Sequence, residues 1–140
     1  MAVMAVLMSI AVPSWLRYQR AQDFNSSTSQ LVEVLRSTQL RAVTEGRTYR
    51  VDFTADQASS VRQVAGVYQS FTSISPTSSD VSYGNPGFTT VTGPSTSVFF
   101  YTRGTATKGT VKVVRVGGST RTVTVEGLTG RVSSACTGTL

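Results

Sequence analysis

The residues best suited to chemistry in this chain are a few carboxylates and one thiol. Asp52 and Asp56 flank the end of an alternating segment, Asp80 stands in a Ser/Thr-rich stretch, and Cys136 lies near the C-terminus. General acid–base catalysis needs two such groups held together, and no spacing here does that. The run Asp52-Phe53-Thr54-Ala55-Asp56 lacks the dense acids and the turn glycine of a calcium loop. The chain has no His, which excludes Ser-His-Asp and Cys-His centres and every His-based metal site. A single thiol makes no internal disulfide. The chain therefore reads as a non-enzyme without cofactor or metal.

Charge offers a second kind of chemistry. Thirteen basic residues against seven acidic give a net charge of +6, spread along 140 residues without a run. Residues 99–140 concentrate the excess: Arg103, Lys108, Lys112, Arg115, Arg121 and Arg131 stand against Glu126 alone. The plainer reading of the charge is a solvated surface with an excess of Arg, and the sharper one is an anionic partner, a nucleic acid or a phospholipid surface. The local imbalance keeps DNA binding open, and Tyr101 and Tyr83 are aromatic residues able to stack on bases. Period-2 geometry puts Lys112 and Arg115 on opposite faces of one strand, so the six cations do not all serve one surface.

These residues must be positioned by one domain, since 140 residues suffice for one and not comfortably for two. Residues 1–12 are apolar apart from Ser9, with Val6, Leu7 and Ile10 among them, and run through Pro13 into Trp15, Arg17, Tyr18 and Arg20. The run alone is shorter than the ~20 residues of a membrane span, and its aromatic and cationic flank is what a membrane–water interface selects. A local break is expected at Asp23–Ser27, with Ser26 or Ser27 capping the next helical piece. From Ser26 to Glu45, Thr28, Leu31, Val32, Leu35, Thr38, Gln39, Ala42 and Val43 recur at helical spacing, and Gly46 fits the position past the helix end.

Beyond Gly46 the period changes to two. Strands are expected at 47–54, at 61–71 with a bulge at Gly66, and at 98–101. Residues 110–116 and 120–126, joined by Gly117-Gly118-Ser119, form a hairpin, and a last short strand includes Arg131 and Val132. Residues 72–97, rich in Ser, Thr and Pro, read as loop with a short strand at 88–92. The fold class is α+β: a long N-terminal α-helix packed on an antiparallel β-domain of six or seven strands.

Three stretches carry a family resemblance. The apolar run ends in Ile10-Ala11-Val12-Pro13-Ser14. The helix ends in Leu35-Arg36-Ser37-Thr38-Gln39-Leu40-Arg41-Ala42-Val43-Thr44-Glu45-Gly46-Arg47. The C-terminal part holds Phe100-Tyr101-Thr102-Arg103-Gly104-Thr105-Ala106, then Gly109-Thr110-Val111, Arg121-Thr122-Val123 and Gly130-Arg131-Val132. In that order they resemble the GspH/FimT family of minor pseudopilins and minor pilins, with residues 55–97 unmatched.

The resemblance implies a minor subunit of a type IV pilus or type II secretion-like filament, at the tip or in the priming complex. Residues 1–25 would be the filament or membrane part of the pilin helix, including Val6, Leu7, Ile10, Pro13 and Trp15. Residues 26–140 would form the β-domain with the amphipathic half of the helix. Partners would be other pilins through the N-terminal helix and the membrane, with the β-domain outside the cytoplasm. Aligning Pro13 with the family's proline leaves about nine residues of the mature helix unaccounted for, which would restore a span of ~21 apolar positions. The family's leader, its cleavage glycine and the glutamate close behind are expected upstream of Met1. Some FimT-like members bind DNA through a GRxR motif. Here Gly130-Arg131-Val132-Ser133 matches it except at Ser133, so only Arg131 carries over, and DNA uptake is the alternative reading.

Overall fold

A computed structural model describes residues 2–64, 66–90 and 93–136. Among the described residues one helix, α1 (Ala2–Glu45), precedes nine strands. They are β1 (Tyr49–Phe53), β2 (Ala58–Val64), β3 (Val67–Ile74), β4 (Val81–Thr90), β5 (Gly93–Ser95), β6 (Ser97–Phe100), β7 (Lys108–Arg115), β8 (Thr120–Val125) and β9 (Val132–Cys136). Two antiparallel sheets result, the first ordered β3-β2-β1-β6 and the second β5-β4-β7-β8-β9. The α+β architecture expected from the sequence is the one observed.

The helix persists because its second half buries a continuous stripe. Phe24, Ser27, Thr28, Leu31, Leu35, Thr38 and Ala42 are buried at spacings of three and four, and Val32 packs at their margin. Against them stand Tyr49, Val51 and Phe53 of β1, Val98 and Phe100 of β6, and Val111, Val113, Val123, Val125 and Val132 of the second sheet. Thr38 Oγ1 lies 3.0 Å from Ser60 Oγ, a buried hydroxyl pair between helix and first sheet. At the helix end Gly46 adopts φ +62°, and Arg47 N donates to Ala42 O at 3.1 Å, the six-to-one bond that closes a helix through a left-handed residue.

Four expectations are corrected. No break occurs at Asp23–Ser27, because Phe24, Ser27 and Thr28 are already part of the buried face. Ser27 is not a cap: its Oγ accepts the Thr77 N–H at 3.0 Å and ties the loop before β4 to the helix. The segment 61–71 is two strands rather than one. Gly66 lies in the turn between them at φ +82°, and the register shift falls between Ser60 and Val61.

The largest departure is β4, ten residues long, which overlaps the short strand expected at 88–92 and extends it back to Val81 through a stretch read as loop. It lies between β5 and β7, where a proline cannot complete the ladder. A register shift between Gly84 and Gly87, with Asn85 at φ +46°, carries Pro86 past the ladder. Val81, Tyr83 and Phe88 then fill the core on either side of the bulge.

Candidate functional site

Two surfaces carry the residues singled out by the sequence. The first is the N-terminal half of α1. Between Ala2 and Asp23 it extends roughly 30 Å beyond the buried stripe. Met4, Val6, Leu7, Met8, Val12, Trp15, Leu16 and Tyr18 are all exposed, with Trp15 at 64%. Pro13 lies inside the continuous helix. Ile10 belongs to the same helix, but its side chain lies outside the described residues. Exposed large apolar side chains along such a length of helix are unusual for a free surface. Among the described residues no helix is long and apolar enough to cross a membrane.

The second surface is the C-terminal half of the β-domain, where the six cations fall into separate places. Lys112 projects from the outer face of the second sheet, opposite buried Val111 and Val113, and Lys108 shares its period. Arg121 points to the opposite face, its guanidinium 5.5 Å from the Phe24 ring centre on the helix. Arg115 ends β7 at the Gly117–Gly118 hairpin. Arg103 and Arg131 sit beside the two turns that α1 joins. Gln39 Nε2 donates to Gly104 O at 3.3 Å and to Thr129 O at 3.1 Å.

The Gly130-Arg131 pair therefore has a local structural role. Gly130 is buried at φ +63°, under Gln39 and the Gly104 carbonyl, and Arg131 O accepts the Glu126 N–H at 2.9 Å. Arg131 itself is exposed. Of the two tyrosines proposed for stacking, Tyr101 is exposed but Tyr83 is not. At 3% exposure Tyr83 is a core residue, and burial pushes its hydroxyl up to about 12.

Sequence reasoning missed a second set of arginines. Arg50 lies over the Tyr68 ring at 4.0 Å and 2.8 Å from Asp52, and Arg41 lies over Phe71 at 4.9 Å. The two ring contacts join β1 to β3 and α1 to β3, and no local signal announces such long-range partners, whereas Arg50 and Asp52 stand two residues apart on one strand. Asp52 is thus engaged by Arg50 and by the Ser97 hydroxyl. Among the described residues no group of three metal-ligating side chains occurs.

Solved structures of a minor pseudopilin and a minor pilin share this arrangement. The structure of the minor pseudopilin EpsH from the type 2 secretion system of Vibrio cholerae superposes with a TM-score of 0.67 at 14% identity, covering 84% of this chain and 99% of that one. The type IV minor pilin FimU of Pseudomonas aeruginosa superposes with a TM-score of 0.65 at 13% identity, covering 84% and 92%. At such identities the likeness is one of fold. No curated protein sequence matches the chain significantly. The family described as type II transport protein GspH matches residues 27–129, which take in the buried half of α1 and β1 through β8. The chain belongs to that GspH family, and its fold is the one shared by minor pseudopilins and minor pilins.

Proposed function

We propose that this chain is a minor pilin or pseudopilin built into a type IV pilus or type II secretion-like filament, at the tip or in the priming complex. The observation that carries the reading is the division of α1. Its second half belongs to the β-domain core, whereas in its first half Val6, Leu7, Trp15 and other apolar side chains are exposed, with no partner among the described residues. In a filament those residues pack against the helices of other subunits, and before assembly they lie in the cell membrane with the β-domain outside the cytoplasm. Pro13, inside the apolar part, belongs to the same packing segment. DNA contact enters this reading only as a weak electrostatic property, since Lys112 and Arg121 face opposite ways.

The test is co-assembly. Val6→Asp with Leu7→Asp should abolish co-purification of the full chain with other filament subunits from detergent extracts. Urea unfolding of the β-domain should be unchanged, because neither side chain touches its core. Undiminished co-purification of that variant would overturn the reading.

A further inference from the structure

We propose that the groove between α1 and β9 binds an extended, acidic segment of a partner protein, which adds to β9 as a further strand of the second sheet. The groove has a volume of about 480 Å³. Ser29, Glu33, Arg36 and Leu40 line it from the helix, and Arg121 and Ser134 from the sheet.

The strand side supplies the first reason. β9 is the edge of its sheet, and Ser133 to Cys136 are exposed. Arg131 O accepts from Glu126 N, so the alternation of an antiparallel ladder turns the peptide groups of Val132, Ser134 and Cys136 away from β8. Arg36 Nη2 already donates to the Val132 carbonyl at 3.2 Å, as that alternation requires. At Ser134 the next outward peptide group stands at the groove, ready to pair with an incoming strand.

Charge supplies the second reason and fixes the occupant. Among the described residues Arg121 Nε is buried without a hydrogen-bond partner. Its Nη2 donates to the Cys136 sulfur at 3.2 Å, a weak acceptor. Among the described residues no carboxylate lies within ion-pair distance of Arg121 or Arg36. A desolvated guanidinium donor without an acceptor matches a carboxylate brought by a ligand. Among the described residues Glu33 is the one acid lining the groove, against two guanidiniums. A second copy of this chain, at +6, meets like charge on approach, whereas an acidic segment is attracted. Placed along β9, such a segment exchanges backbone hydrogen bonds with Ser134 and directs a carboxylate onto Arg121 and Arg36.

The experiment is a nuclear magnetic resonance titration of the full chain in detergent micelles with a capped Glu-Val-Glu-Val-Glu peptide. Shifts should concentrate at the amides of Ser134 and Cys136 and at Arg121 Nε–H. Arg121→Lys should weaken binding about tenfold or more, since it removes the fork that holds the carboxylate. Ser134→Pro removes the outward N–H on an edge strand, where proline is tolerated, and should abolish binding. Lys112→Ala, on the other face, should change nothing. Equal binding of the Lys-for-Glu peptide overturns the proposal. So does saturation of the same shifts by inorganic phosphate alone, or self-association that occupies the groove without peptide. If either variant fails to fold, the contrast between acidic peptide, basic peptide and phosphate on the unaltered chain decides.

Discussion

Gln39 and Gly130 meet where α1 crosses the turn between β8 and β9. Gln39 Nε2 bonds Thr129 O at 3.1 Å, and a Cβ on Gly130 would collide both with that nitrogen and with the Gly104 carbonyl. One helix side chain thus gathers two turns that are distant in sequence, and the glycine is what lets them approach. At φ +63° a side chain is strained even before the collision. Gly130→Ala should therefore destabilise the domain by about 2–4 kcal/mol. Gln39→Ala alone should cost about 1 kcal/mol, one side-chain hydrogen-bond set. Combining the two should not rescue Gly130→Ala, because the Gly104 carbonyl still stands in the way. Urea unfolding of the three variants tests this, and a Gly130→Ala cost below ~0.5 kcal/mol would contradict it.

Tyr83 gives a pH signature. Its ring is buried, its hydroxyl has no partner among the described residues, and burial raises its pKa from the ordinary 10.0 to about 12. The folded state therefore resists ionisation that the unfolded chain undergoes freely. Stability from this group is fully present below pH 10 and is lost as pH rises from about 10 towards 12. Tyr83→Phe removes an unpaired buried hydroxyl, so at pH 7 it should be neutral or stabilising by up to about 1 kcal/mol. Above pH 10 the variant should lose less stability than the unaltered chain. Denaturant midpoints at pH 7, 10 and 11 measure the difference, and parallel losses would count against the assignment.

Among the described residues Phe24 is the first on the helix that the β-domain buries, although Arg20 also reaches Asp80 at 3.9 Å. Phe24 is 8% exposed, and the Arg121 guanidinium lies over its ring. A chain beginning at Ser26 should be markedly less stable than one beginning at Arg20, by about 3–5 kcal/mol for the loss of a buried Phe. Phe24→Ala in the full chain should reproduce most of that loss. Thermal melts followed by circular dichroism compare the three, and equal midpoints would show that the domain needs nothing before Ser26.

The outcome along the chain follows how local each signal is. The buried stripe from Thr28 to Ala42 and the β7–β8 hairpin were legible because period and turn chemistry lie within a few residues. Gly46 was legible for the same reason. Of β4 only the end near Phe88 was legible, because Asn85-Pro86-Gly87 punctuates the sequence as a loop while the bulge conceals a strand that pairs on both sides. The continuity of α1 through Asp23–Ser27 was hidden because Ser27 is satisfied by Thr77, fifty residues away. Among the candidate cations, types and strand parity were readable, but Arg121 over Phe24 and Arg103 beside the Gln39 clamp are tertiary facts.

That distribution sets what DNA can do here. If all six cations met phosphates, the logarithm of affinity would fall with the logarithm of salt at a slope near −5, about 0.9 per phosphate. Lys108 and Lys112 share the outer face of the second sheet, Arg103 and Arg131 flank the Gln39 turns, and Arg121 faces the helix. One duplex then engages about two cations at a time, and the slope should be near −2. Binding should be weak and independent of sequence, since no element presents a row of polar side chains to base edges. Lys108→Ala with Lys112→Ala should lower it more than Arg121→Ala does, because Arg121 is half-buried in the helix groove. Fluorescence anisotropy with a labelled duplex from low to moderate salt reads both quantities. A slope near −5, or strong dependence on Arg121, would mean that the cations act as one surface and that DNA uptake belongs beside filament assembly as a function of this chain.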